Sequence, residues 1–252
     1  MDVPGTLLEG AGSLGISLDE RALERFDIYL RVLLEWNQKH NLTAIRDRDE
    51  IVTRHFLDAL TCVRAYDFTT RRPVLDVATG AGFPGLPLKI AFPDLDLSLL
   101  DSSIKKVEFL GHLCPLLGWT EVDIAHGRAE MFAHVGSYRQ KFHLVLCRGL
   151  AALPSLTEMC LPFVTVGGYL LAQKGPDVDP EIAAAAEGVQ ILGGGEIERI
   201  DVGVPGTKIQ HTLIRIRKEE STPSRYPRRP GMPVKRPMGT TSGRPHPHPK
   251  YR

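Results

Sequence analysis

Residues 76–85 read Asp76-Val77-Ala78-Thr79-Gly80-Ala81-Gly82-Phe83-Pro84-Gly85, and Gly80, Gly82 and Gly85 satisfy the spacing G-x-G-x-x-G. Glycines at that spacing let a chain turn tightly and bring its backbone close to a ligand. The run follows one short apolar segment and precedes another, the strand–loop–helix context in which such a loop cradles a nucleotide. Asp101 ends the next apolar run, where a carboxylate can accept both hydroxyls of a ribose. A nicotinamide enzyme and an S-adenosylmethionine enzyme are both allowed by these residues.

Three details favour the second. Pro84 stands where the helix begins and removes an N–H from a terminus that would otherwise cradle a pyrophosphate. Asp76 lies at the loop, where a carboxylate suits an ammonium group and repels a pyrophosphate. Gly127-Arg128-Ala129-Glu130 follows the third strand, where a backbone N–H and a nearby acid can frame an adenine edge. A surface pair between Arg128 and Glu130 is the competing reading. Arg148 ends the fourth strand, at the sheet edge where ligands bind in wound α/β folds; a structural ion pair is its alternative. The histidines are scattered, with no Ser/His/Asp constellation and no metal-ligand set. Cys62, Cys114, Cys147 and Cys160 show no CxxC pairing and sit in apolar neighbourhoods, as small hydrophobes of a reducing cytoplasmic compartment.

The elements that must position these residues are read from periodicity. Ser17-Leu18-Asp19-Glu20 fits a capping box, and Leu23, Phe26, Leu30, Leu33 and Leu34 continue it as a helix to about residue 40. A second helix is predicted over 47–60, with Arg54 and Asp58 spaced for an i,i+4 salt bridge. Strands are predicted at 74–78, 96–101, 122–125, 142–147 and 168–173, with helices at 86–92, 105–117, 129–133, 153–161 and 180–187. Alternation of this kind means a parallel sheet wound on both faces. Two closing strands, 197–202 and 209–216, come last with little helix between them and predict an antiparallel edge hairpin.

The chain divides into 1–70, a helical subdomain; 71–218, the α/β domain; and 219–252, a proline-rich tail. The net charge of +1 hides an asymmetry: the tail carries +6 and the rest −5. Eight of the nineteen prolines fall in the tail, which has almost no large aliphatics and is expected to be disordered. Such a tail either solubilises the chain or engages phosphates. The composition of the whole chain, 42% hydrophobic and 24% charged, is globular, and no apolar run is long enough to span a membrane. The N-terminus lacks the pattern of a signal peptide.

The sequence resembles the bacterial small-subunit (16S) ribosomal RNA guanine-N7 methyltransferases, the glucose-inhibited division protein B family. The matching pieces are Trp36-Asn37, Asn41-Leu42-Thr43-Ala44-Ile45, Arg54-His55-Phe56-Leu57-Asp58 and Asp76 through Gly85. Leu100-Asp101-Ser102, Lys105-Lys106, Arg128-Ala129-Glu130, Arg148 with Ala151, and Lys174-Gly175 continue the match in order. The resemblance implies a Rossmann-like class I methyltransferase fold, α/β, with a seven-stranded mostly parallel sheet and an N-terminal helical subdomain. It implies S-adenosylmethionine as methyl donor and a guanine N7 in the decoding-region loop of 16S ribosomal RNA, free or in the small subunit, as acceptor. It further implies Asp76, Ala78, Gly80, Gly82, Phe83, Asp101, Ala129, Glu130 and Arg148 at the cofactor, with Arg148 also catalytic. Asn41, Arg54, His55 and Lys174 are implied at the substrate, and no metal. A cytoplasmic monomer is expected. An NAD-dependent oxidoreductase and a non-catalytic RNA-binding module are the alternatives. Ala78 stands where the family usually has glycine, and the tail after Lys218 is expected to lie outside the family's core.

Overall fold

The computed structural model of the protein describes residues 5–239. Its first element, α1 (Gly5–Ser13), lies where apolar periodicity gave no signal. The next, α2 (Glu20–His40), is capped by Asp19, whose carboxylate accepts the Ala22 N–H at 2.7 Å. The Ser17 box is thus two residues early; an aspartate one residue before the helix reaches the same free N–H directly. Asn41 ends α2 in the left-handed conformation, φ 49°.

The helix expected over 47–60 is broken in the middle. A short α3 (Arg48–Ile51) passes into a π turn (Val52–Leu57), then α4 (Asp58–Leu60) and a 3-10 turn (Thr61–Arg64). The wider i→i+5 turn rotates the residues after it relative to their places on an α-helix. Arg54 therefore pairs backwards with Glu50 at 3.5 Å, and Asp58 turns inwards to Arg148 at 2.9 Å. The Arg54–Asp58 bridge expected from spacing does not form.

Strands and helices then alternate: β1 (Pro73–Val77), α5 (Gly85–Ala91), β2 (Asp96–Asp101), α6 (Ile104–Leu116), β3 (Asp123–His126) and α7 (Ala129–Phe132). They continue with β4 (Phe142–Arg148), α8 (Leu153–Cys160), β5 (Val164–Lys174), α9 (Asp179–Ile191), β6 (Gly194–Gly203) and β7 (Gln210–Lys218). The seven strands form one sheet in the order β3-β2-β1-β4-β5-β7-β6. Five are mutually parallel, and β7 runs antiparallel to both β5 and β6. The closing hairpin exists, but its second strand enters the sheet and its first takes the edge.

Alternation along the strands feeds two apolar layers. Leu97, Leu99, Leu144 and Leu146 face a core shared with Phe26, Leu33, Phe56 and Phe109, so the N-terminal helices and one face of the sheet are built on the same core. Leu75, Val145, Cys147, Leu170 and Ile216 face a second core with α8 and α9. All four cysteines are buried free thiols.

The tail is where the structure departs most from expectation. Residues 219–239 are ordered against α8, α9 and the segment before β4, and include a short helix, α10 (Met232–Lys235). The Arg228 guanidinium pairs with Glu158, which is fully buried in α8. Arg139 donates to the carbonyls of Thr222 and Tyr226 at 2.8 and 2.9 Å, and Ser155 to that of Pro233 at 2.9 Å. Hydrogen bonds to the body of the fold, with a few apolar contacts such as Met238, hold this segment, which is why its composition misleads. The part of the expected disorder that falls on 240–252 lies outside the described residues. Among the described residues no helix is long and apolar enough to cross a membrane.

Candidate active site

The loop after β1 is held from below and from behind. Asp76 is fully buried; one of its oxygens accepts the Thr79 hydroxyl at 2.7 Å and the Gly85 N–H at 2.8 Å. Burial raises its carboxyl to about 7, against the pull of those two bonds. Its other oxygen has no hydrogen-bond partner among the described residues. From behind, the buried Tyr29 donates to the Ala81 carbonyl at 2.5 Å and stacks on Phe83 at 5.4 Å between centroids. A Cβ on Gly82, at φ +102°, would meet the Tyr29 hydroxyl at 2.8 Å and Leu86 at 2.5 Å. Gly82 is thus required by the packing of the loop on α2. Ala78 takes φ +57°, a left-handed conformation that glycine adopts without steric cost.

Three cavities open at the carboxyl ends of the strands. The first, about 290 Å³, is lined by Ala78, Gly80, Phe83, Asp101 and Lys106 among others. The second, about 140 Å³, is lined by Leu100, Gly127, Ala129, Glu130, Met159 and Val234, and shares Ala78, Asp101, Ser102 and Leu150 with the first. Together they form one cleft with Asp101 at its middle. Each Asp101 oxygen accepts one backbone N–H, from Gly80 at 2.9 Å and Ser103 at 2.8 Å, so lone pairs remain for hydroxyl donors. A Cβ on Gly80 would approach only Lys106 Nζ, at 3.8 Å, so open space faces this turn of the backbone.

The third cavity, about 490 Å³, is lined by Ile45, Arg54, Asp58, Gln173, Lys174 and His211, and meets the first at Thr43, His55, Arg148 and Gly149. Arg148 is the hub of that wall. Its guanidinium donates to Asp58 at 2.9 Å, to the Arg54 carbonyl at 3.3 Å and to His55 Nδ1 at 3.2 Å, and lies 5.0 Å over the Phe83 ring. Nδ1 of His55 also lies 3.0 Å from the Arg54 carbonyl, and its Nε2 meets the Thr43 hydroxyl at 2.8 Å, so both ring nitrogens are occupied. Burial and the Arg148 charge push His55 down to about 3, which fixes it as neutral. Asp58 also meets His211 Nδ1 at 2.9 Å. Burial opposes ionisation of Asp58, but the His211 bond and the Arg148 charge outweigh it and hold the carboxyl below its usual range.

The residues nominated from sequence divide accordingly. Ala78, Gly80, Phe83, Asp101, Ala129, Glu130 and Arg148 line the cleft. Arg54, His55 and Lys174 line the third cavity, where Lys174 is itself paired with Glu181 at 2.8 Å. Asn41, Asp76 and Gly82 line none of these cavities. Asn41 sits at the αL end of α2 and accepts from Arg46 at 3.2 Å; Thr43, two residues on, lines the first and third cavities. Asp76 lies buried beneath the loop. Its carboxylate fills the N-terminus of α5, the position where a dinucleotide pyrophosphate would otherwise bind. Glu130 is 4% exposed, and one oxygen already accepts the Gly231 N–H at 2.9 Å. Thr43, Asp58, Gln173, His211 and Val234 were not nominated as site residues. The acid in the Arg54–Asp58 run was the available signal for Asp58; His211 and Val234 had none.

The fold is that of the class I S-adenosylmethionine-dependent methyltransferases. It superposes with TM-score 0.50 on a Klebsiella pneumoniae protein provisionally named an O-methyltransferase, at 16% identity, over 76% of this chain and 90% of that one. A Methanococcus maripaludis protein provisionally named an S-adenosyl-L-methionine-dependent methyltransferase gives TM-score 0.50 at 14% identity, over 76% and 93% of the two chains. Within that class the chain belongs to the GidB family, the rRNA small subunit methyltransferase G proteins, whose model matches residues 22–203. It is 43% identical to the ribosomal RNA small subunit methyltransferase G of Alkaliphilus oremlandii, over 94% of this chain and 100% of that one. It is also 43% identical to the protein of the same name from Halalkalibacterium halodurans, over 89% and 94%. The family model ends before Lys218, while the match to the first relative, over 94% of the chain, runs past it, so the segment after β7 is shared with that relative.

Proposed function

We propose that the protein transfers the methyl group of S-adenosylmethionine to N7 of a guanine in the decoding-region loop of small-subunit (16S) ribosomal RNA. The observation that carries this reading is the shared wall. Thr43, His55, Arg148 and Gly149 border both the cleft and the third cavity, so two ligands, one in each, meet at Arg148. The cleft fits a nucleoside without phosphates. Asp101 suits the ribose hydroxyls, Leu100 and Ala129 suit the adenine, and the filled terminus of α5 leaves no place for a pyrophosphate. S-adenosylmethionine supplies there a sulfonium-activated methyl group.

Guanine N7 bears an in-plane lone pair and no proton, so the acceptor needs no general base. That agrees with a wall whose histidine is held neutral with both ring nitrogens occupied. The work of the side chains is alignment and desolvation. Arg148 keeps Nε–H and one Nη2–H without a partner among the described residues, and guanidinium donors match guanine O6, the neighbour of N7. Phe83 and His55 stack at 4.5 Å between centroids and give the junction an aromatic floor. Asp58 and His211 hold Arg148 in place. The major groove of A-form RNA is too narrow for side chains to read, so the base must be unpaired or flipped to reach the cavity.

The test is methyl transfer from a labelled donor to deproteinised 16S RNA and to small subunits. Modified bases are mapped by the strand scission that N7-methylguanine undergoes after reduction and treatment with aniline. One labelled guanine in the decoding region is the expected result. Label elsewhere on the base, or none on either substrate, defeats the assignment.

A further inference from the structure

We propose that the segment after β7 forms the outer wall of the adenine end of the cleft, with Val234 closing on the base. The inference rests on the reading of the cleft as a nucleoside site. It starts from a contradiction between composition and structure. A polar, proline-rich stretch orders only if something specific holds it, and four anchors do. Lys218 Nζ, fully buried, donates to the Leu161 and Leu192 carbonyls at 3.1 and 2.5 Å, and the Thr222 hydroxyl donates to the Leu192 carbonyl at 2.7 Å. Arg139 grips the turn at Thr222 and Tyr226. Arg228 neutralises Glu158, which would otherwise be an unpaired charge in an apolar core. Met238 packs against α9 at Gly188, where an added Cβ would stand 3.3 Å from it.

Between the last two anchors the chain crosses the mouth of the cleft. The Gly231 N–H donates to Glu130 Oε1 at 2.9 Å, and Val234, three residues on, lines the second cavity together with Met159, Ala129 and Leu100. Val234 is 52% exposed, which no packing requirement of the fold explains. An apolar side chain in solvent beside an apolar slot gains most when a flat ring fills the slot. Gly231 at the same time fixes the rotamer of Glu130, the acid expected at the adenine edge. The segment thus acts as a wall and as a positioning element for the methyl donor, while the acceptor cavity lies on the opposite side of Arg148, away from it.

The test uses the full chain with Val234→Asp and Val234→Ala, and reads the dissociation constant of S-adenosylhomocysteine by calorimetry. Because Val234 is half exposed, the ligand-free melting temperature stays at the wild-type value. Val234→Asp is expected to weaken binding about tenfold and Val234→Ala by a smaller factor, with the KM for RNA unchanged. Hydrogen exchange at 228–236 is expected to slow when the ligand binds the wild-type protein. Asp101→Asn serves as the reference arm. If it weakens binding and neither Val234 variant does, the wall is refuted while the nucleoside reading survives. If none of the three changes binding, both fall. If Val234→Asp alters the RNA KM and leaves the ligand constant within twofold, the segment is an RNA contact and the proposal is overturned.

Discussion

The cleft and the acceptor cavity meet at one arginine, yet they are assembled differently. The floor of the cleft is built by segments close in sequence, the loop after β1, the end of β2 and the turn after β3, while its rims, with Arg148 on one side and Val234 on the other, come from far along the chain. At its middle, main-chain N–H donors hold one carboxylate, Asp101. The acceptor cavity draws on residues 43–58, the end of β4, the end of β5 and the start of β7, and its polar groups are side chains that bind one another. A small invariant ligand suits a frame made of backbone. A base presented by a large RNA suits side chains whose partners are interchangeable. Disturbance on one side should therefore appear in donor binding and on the other in turnover.

The largest expected effect is on Arg148. Arg148→Ala removes the donor common to Asp58, His55 and the acceptor, and is expected to lower turnover about a thousandfold. The affinity for S-adenosylhomocysteine should change by no more than about threefold. Single-turnover kinetics beside calorimetry separate the two; equal losses in both would erase the distinction between the sites. Next comes Asp101→Asn, which removes the charge from hydrogen bonds to the ribose and is expected to weaken donor binding about a hundredfold. RNA affinity, read by filter binding, should be unaffected.

A third prediction concerns pH and opposes the two sides directly. His55 is held down near 3 by burial and Arg148, so below its unfolded value the unfolded chain binds the extra proton, and stability from this group is lost as pH falls. Asp76 is raised to about 7 by burial, so the folded chain keeps a proton that the unfolded chain releases, and stability from this group is lost as pH rises. Between about pH 4.5 and 6 the two slopes cancel, and Asp58, held below its usual range, adds a loss only at more acid pH. Asp76→Asn removes one slope. The stability read from its urea unfolding should then rise with pH more steeply than that of the wild type, by up to about 1.4 kcal/mol per unit. A variant with the wild-type slope would show that these groups do not oppose one another.

The smallest effect is expected at Ala78, which borders both halves of the cleft at φ +57°. Ala78→Gly relieves about 1 kcal/mol of left-handed strain and returns a similar amount as unfolded-state entropy. The melting temperature should barely move, and donor affinity should hold or improve. A loss of affinity would mean that the methyl group contacts the ligand.

Much of the fold was legible in the sequence because local periodicity reports it. The alternation at 142–147 sends Leu144 and Leu146 to one core and Val145 and Cys147 to the other, as burial of both faces requires. The π turn escaped, because nothing in Val52–Leu57 distinguishes it from an α-helix before it packs, and with it escaped the partner of Asp58. In the site, the glycine loop and Asp101 were readable from type and spacing. Asp76 was noticed for its charge; its place beneath the loop, accepting the Gly85 N–H, depends on where α5 begins.

The sequence by itself determined the wound sheet, the glycine loop that opens on the cleft and the acid at its middle, because each depends on neighbours within one turn of chain. Only the tertiary structure decided which side chains wall the acceptor cavity and that the segment after Lys218 is ordered. Arg148 finds Asp58 ninety positions away, and Arg228 finds Glu158 seventy away. A buried charge announces in the sequence that it needs a partner, but which distant residue supplies it is fixed only when the sheet brings the two together.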